Sequence, residues 1–263
     1  MLSRLKRLDH GAVLGALKPG ARVRALVRGC ADAIFPPAHF DGGPALETGY
    51  SAQAWSQVRF LEAPVCDGCG APFEFETPER CAACQAKPFA FSRARAACLY
   101  DDASRELVLK FKHGDRVELA GLFARWISRA APDLLAEADA IAPVPLHPLR
   151  LLKRRYNQAA EVARPLARGA GIEYLADALV RSRRTESQGA KSGSGRRRNV
   201  QGAFAVPQAR MKQVKGRRIL LVDDVLTTGS TADACAKALL KAGARAVDLV
   251  VAARVSTRTD LTI

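Results

Sequence analysis

Aromatic residues are scarce in this 263-residue chain: 6% of the total, with two tryptophans and four tyrosines. A protein that grips single-stranded nucleic acid by stacking on its bases needs a platform of such rings, so that mode of binding is poorly supported. No apolar run approaches the roughly 18 residues that a bilayer-crossing helix requires, which excludes a helical membrane span. The first residues, MLSRLKRLDHGAVLGAL, lack an apolar core and a small-residue cleavage site. An amphipathic helix is expected there rather than a signal peptide, and a cytoplasmic setting with it. Histidines number only four, and no Ser/His/Asp or Cys/His constellation for covalent catalysis stands out. What is present is ordinary for a folded protein: hydrophobic residues make up 48% and charged residues 25%, enough to bury a core.

Acidic residues are in deficit, 26 against 41 Lys and Arg, for a net charge of +15. Residues 150–218 alone hold 18 basic and 4 acidic side chains, a local surplus of 14. Such a concentration suits a polyanionic partner, either a phosphorylated small molecule or nucleic acid; charge alone suits a solvated Arg-rich face equally well.

Seven cysteines are too few and too odd in number for a disulfide framework without an export signal. Four of them, Cys66, Cys69, Cys81 and Cys84, form two CxxC pairs with eleven residues between them. Two intervening residues let one turn aim both thiolates of a pair at a single ion, and four sulfurs meet the tetrahedral demand of zinc. The expectation is one structural Zn²⁺ in a small ribbon at residues 61–92; two disulfides or two redox sites are the competing readings. Cys98 and Cys235 lie in apolar surroundings and read as buried thiols.

Along the chain, residues 1–60 combine a basic helical start with a Pro- and Gly-rich stretch. From residue 93 strand-like and helix-like segments alternate: strands at 95–100, 138–144, 172–175, 218–222 and 246–253, helices at 104–112, 119–130, 157–168 and 231–241. The segment RSRRTESQGAKSGSGRRRN is polar, basic and Gly/Ser-rich, and reads as a long loop with a function. The last strand, helix and strand form a βαβ unit of a parallel sheet, since both strands are continuously apolar.

The densest chemistry is in ILLVDDVLTTGST. An apolar strand delivers Asp223 and Asp224 at its C-terminal end, where ligands of open α/β sheets bind. Gly229 lets the backbone fold around a ligand, and the amides at the following helix start favour an anion. Thr227, Thr228, Ser230 and Thr231 add hydroxyl donors without charge. Two carboxylates beside an anion site are explained by ribose hydroxyls, with a nearby Mg²⁺. A ribose 5-phosphate satisfies both halves. Neither a Walker GK[ST] nor a GxGxxG is present.

VDDVLTTGST resembles the phosphoribosyl pyrophosphate (PRPP) motif of type I phosphoribosyltransferases. The CxxC ribbon, YDDASRELVLKFKHGD, PVPLHPLRLLKRRYNQA, LVRSRRTESQ and RRRNVQGAF extend the likeness, from about residue 65 to 254, to the competence-associated ComF family. The resemblance implies a type I phosphoribosyltransferase-like α/β fold, a parallel sheet flanked by helices, over residues 93–263. It implies that Thr227, Thr228, Gly229, Ser230 and Thr231 grip a 5-phosphate and that Asp223 and Asp224, the catalytic candidates, hold ribose hydroxyls. Arg150, Lys153 and Arg154 fall where type I enzymes contact pyrophosphate, and Arg183 and Arg184 lie in a loop that resembles the one closing over PRPP. Relatives often carry a further CxxC pair of pairs upstream; its absence here implies a degenerate first ribbon, with residues 36–56 loosely ordered. His113 reads as a base or as structural, and His147 is open. Two functions are compatible with the resemblance. One is PRPP binding with phosphoribosyl transfer to an unknown acceptor. The other is non-catalytic binding of single-stranded DNA, through the basic segment, alongside competence machinery. The resemblance also allows a homo-oligomer.

Overall fold

The computed structural model describes residues 52–73, 79–113, 116–146, 151, 156–181 and 202–256. The expected N-terminal helix, most of the expected degenerate ribbon, Arg150, Lys153, Arg154, Arg183, Arg184 and His147 lie outside the described residues, as does the side chain of His113.

The described elements run α1 (Ala52–Gln57), α2 (Ala82–Ala86), β1 (Ala94–Leu99), α3 (Asp102–His113), α4 (Leu119–Ala130), α5 (Pro132–Glu137) and β2 (Ala140–Pro143). Then come α6 (Gln158–Ala170), β3 (Glu173–Tyr174), β4 (Val180–Arg181), β5 (Phe204–Ala205), α7 (Met211–Val214), β6 (Arg218–Leu226), α8 (Ser230–Lys241) and β7 (Ala246–Arg254). Five strands form one parallel sheet in the order β1-β7-β6-β2-β3, while β4 and β5 pair antiparallel on their own.

Burial explains why β6 stands near the centre. Ile219 and Leu221 share one core cluster with Cys235 and Leu239 of α8. Leu220 and Val222 point the opposite way and are equally buried, so both faces of the strand are covered. Helix α4 buries Leu119, Leu122, Phe123, Trp126 and Ile127, and packs on α6 and β1. Asn157 caps α6 by accepting the Ala159 N–H at 3.1 Å, and Gly171 in the left-handed conformation ends it.

Three expectations need correction. Strand β6 does not stop at Val222: it pairs with the nine-residue β7 through Leu226↔Arg254, so Asp223 and Asp224 are strand residues. Residues 52–57 are helical, and the ring of Trp55 meets those of Phe60 and Trp126 at 5.0 and 5.6 Å, instead of lying in a loose stretch. Helix α5 was not expected; its Pro132 starts it at the position where a missing N–H costs nothing.

The topology marks a crevice. From β6 the chain crosses through α8 to β7 on one side, whereas β2 leads to β3 on the other. Strands β6 and β2 are neighbours, so the strand order reverses between them, the position at which open sheets bind ligands beyond their carboxyl ends. The opposite end of the sheet is closed by charge. Asp248, only 1% exposed, lies 3.0 Å from Arg93 and 2.8 Å from Arg218, and Arg93 also pairs with Glu137 at 2.8 Å.

Candidate functional site

At the reversal point β6 presents two adjacent carboxyls. The Asp224 N–H donates to Asp223 Oδ1 at 2.9 Å, and Asp224 Oδ2 lies 3.1 Å from Lys112 Nζ. Burial, and then the neighbouring Asp224 charge, push the Asp223 carboxyl up to about 7; Lys112 and Arg181 act against that shift. Lys112 comes from the last turn of α3, whose carbonyl accepts from Gln158 Nε2 at 3.4 Å, so the start of α6 holds this cation in place. Lys112 is a site residue that the sequence does not single out, since nothing in KFKHGD distinguishes this lysine from its neighbours until α3 sets it against Asp224.

After Leu226 the chain turns through Thr227 and Thr228 to Gly229, at φ 72°, and α8 begins at Ser230. Gly229 O accepts the Asp233 N–H at 2.8 Å, which closes the first turn. The N–H groups of Ser230, Thr231 and Ala232 have no partner within the helix, as at any helix start, and they concentrate the positive end of its dipole. The hydroxyls of Thr228 and Ser230 are 2.9 Å apart. This arrangement can hold an anion on backbone amides, with the carboxyls of Asp223 and Asp224 a few residues back along the strand to accept from hydroxyls.

Two further segments converge here. Val144, just past β2, donates its N–H to Val222 O at 2.9 Å and accepts from Asn157 Nδ2 at 3.0 Å, so the start of PVPLHP leaves the sheet beside β6. The residues flanking the basic segment 182–201 are tied together as β4 and β5, with the Arg181 guanidinium 5.2 Å from the centre of the Phe204 ring. Helix α8 packs against β5, and Arg181 of β4 is near enough for its charge to act on Asp223.

The four cysteines form a second, separate constellation. Cys66, Cys69, Cys81 and Cys84 bring their sulfurs within 4.8 Å of one another, and none is in a disulfide. Cys69 and Cys81 sulfurs are 3.8 Å apart. Four thiolates about 2.3 Å from a central ion at tetrahedral angles stand about 3.8 Å from each other, so the residues fit a four-coordinate metal ion such as zinc. The bridge between Val65 and Pro72 closes the first turn, and Gly70, at φ 66°, donates to Cys66 O at 2.7 Å. A Cβ on Gly68 would come within 2.9 Å of Cys84 Sγ, so the close approach of the second pair requires glycine there. Hydrogen bonding from Cys69 holds the Cys66 thiol down at about 4, while burial pushes Cys84 up to about 12. Cys98 and Cys235 are fully buried apart from this group, and burial pushes Cys98 up to about 12.

Residues 157–262 match the phosphoribosyl transferase domain family. Competence protein F of Haemophilus influenzae is 30% identical over 198 residues, covering 73% of this chain and 86% of its own. The chain belongs to the ComF family. DNA utilization protein YhgH of Escherichia coli K12, another relative, is 31% identical over 200 residues, 74% of this chain and 86% of that one. This ComF family member thus joins a phosphoribosyltransferase-like domain to an N-terminal cysteine ribbon. Among solved structures, a glutamine PRPP amidotransferase from Bacillus subtilis gives a TM-score of 0.38 at 18% identity, over 55% of this chain and 30% of that one, too partial a likeness to carry an argument. Among the described residues no helix is long and apolar enough to cross a membrane.

Proposed function

We propose that the crevice beyond β6 binds PRPP or a similar ribose 5-phosphate ligand. The amides and hydroxyls of Thr227, Thr228, Gly229, Ser230 and Thr231 receive the 5-phosphate, and Asp223 and Asp224 accept hydrogen bonds from the ribose hydroxyls. The observation that carries this reading is the left-handed Gly229 at the start of α8, directly after a strand end that offers two carboxyls at the sheet's reversal point. Mg²⁺, bound with the ligand, would neutralise its diphosphate. Arg150, Lys153, Arg154, Arg183 and Arg184 are the proposed cations for the same group. The reaction suited to such a site breaks the C1–O bond to diphosphate, which leaves with the electron pair, and forms a C1–N bond to a nitrogen acceptor. Charge placement and exclusion of water carry such a step, with no covalent nucleophile. In this reading the ribbon at residues 61–92 holds one structural Zn²⁺ and the domain at 93–263 holds the ligand, in a cytoplasmic setting.

Calorimetric titration with PRPP and Mg²⁺ tests the proposal. Wild type binds, and the double variant Asp223→Asn, Asp224→Asn loses at least most of that heat. No binding in wild type removes the ligand assignment.

A second reading, single-stranded DNA held through its phosphates, draws support from the surplus of 14 positive charges over residues 150–218 and from the names of the relatives, a competence protein and a DNA utilization protein. Its affinity falls steeply with salt and survives the double substitution, the opposite of the pattern expected for PRPP.

A further inference from the structure

The ribbon reaches the anion turn through the side chain of Phe89. Phe89, five residues after Cys84, packs against the cysteine cluster and against the main core at once. Its ring stacks on that of the buried Phe91, with centroids 4.6 Å apart and planes inclined by 11°. The ring also abuts Gly229: a Cβ there would stand 2.6 Å from Phe89 Cε1 and 2.9 Å from Cζ. The next residue adds a polar tie. Ala90 N–H donates to Asp233 Oδ1 at 2.7 Å, in the first turn of α8. Asp233 in turn donates its own N–H to Gly229 O and pairs with Lys237 at 2.8 Å. The segment leaving the second CxxC pair therefore presses one ring on the glycine of the turn and pins the helix start behind it.

We propose that Phe89 is a positioning residue for the anion turn, and that metal bound by Cys66, Cys69, Cys81 and Cys84 fixes the turn through it. The proposal deepens the ligand reading above and rests on it for its effect on affinity. Gly229 occupies a left-handed conformation that a small residue can leave easily. The ring closes the space into which Gly229 would move; Phe91 supports it from the core, and the cysteine cluster, with Cys84 of the short helix α2, supports it from the ribbon. Loss of the metal removes the second of these supports, so the ring loosens and the amides that face the anion lose their fixed geometry. A displacement of about 1 Å at such a site costs binding and turnover up to roughly 100-fold.

The test uses the full chain with ¹⁵N-labelled glycine, in three forms: metal-loaded wild type, chelator-treated wild type, and metal-loaded Phe89→Leu, which keeps an apolar side chain. Native mass spectrometry fixes the metal content of each. Two readouts are taken: the hydrogen-exchange rate of the Gly229 amide, which loss of the ring current does not change, and calorimetric affinity for ribose 5-phosphate. The expected result is faster Gly229 exchange in both altered forms and affinity roughly 10- to 100-fold weaker, with chelation of Phe89→Leu adding little more. An unchanged Gly229 exchange rate in metal-loaded, folded Phe89→Leu overturns the proposal. So does an exchange rate that responds to the substitution but not to chelation. If wild type fails to bind ribose 5-phosphate, the ligand reading falls, and Gly229 exchange still decides whether the ribbon positions the turn. Should chelation unfold the chain, the substitution decides the role of Phe89, and the coupling to metal is overturned in favour of a purely structural ion.

Discussion

Asp248 and the pair Asp223 and Asp224 stand on neighbouring strands at opposite ends of one sheet, and their surroundings differ in kind. Asp248 is buried between Arg93 and Arg218, and Glu137 balances the second cation. Every charge there has an opposite partner, as a structural network must. Asp223 stands one peptide from another carboxyl, the contacting cation Lys112 pairs with Asp224, and Asp223 holds its proton to about 7. A fold that needed only stability would not keep that pair. The difference teaches that the N-terminal end of the sheet is closed for stability, while the C-terminal end carries a cost that the hydroxyls and metal ion of the proposed ligand would offset.

Substitutions at the two ends should therefore separate. The largest effect belongs to Asp248→Ala: it leaves two half-buried guanidinium groups with only Glu137 between them and costs about 2–4 kcal/mol by urea denaturation, with ribose 5-phosphate affinity unchanged in the folded protein. Gly229→Ala ranks next, at about 1–3 kcal/mol, because it combines a positive φ with contact against Phe89; it also weakens ligand binding. Equal affinity in that variant would dissolve the distinction between the ends. Asp223→Asn should have the opposite sign. A carboxyl whose proton is held more tightly in the folded than in the unfolded chain loses stability as pH rises, from about the ordinary 3.8 to about 7. The amide variant escapes this, so it is more stable than wild type at pH 8, on the order of 1–2 kcal/mol after solvent screening, and the advantage fades toward pH 4. By the same titration, wild-type affinity for the sugar rises between pH 6 and 8 as Asp223 becomes a full acceptor. The smallest effect is that of Lys237→Ala, whose exposed pair with Asp233 contributes below about 0.5 kcal/mol.

How far the sequence revealed this site depends on how local each part is. The βαβ unit of β6, α8 and β7 was legible because runs such as RILLV are buried on both faces and carry no polar interruption. The two aspartates broke that run, so the strand was read four residues short; only its ladder with β7 shows that it continues. The cysteine site was legible because two CxxC pairs state their own geometry. Helix α5, six residues of PDLLAE, is too short for a periodic signal. Lys112 and Phe89 act across chain separations of more than a hundred residues, and neither residue type names its partner. Nothing near Phe89 in the sequence indicates Gly229, since that contact exists only once the ribbon lies against α8.

The most direct test is a crystal grown with ribose 5-phosphate. Phosphate oxygens within hydrogen-bond distance of the amides of residues 228–231, with ribose hydroxyls donating to Asp223 and Asp224, are the predicted result. An empty turn at saturating sugar, or a sugar bound with neither carboxyl in contact, would contradict it.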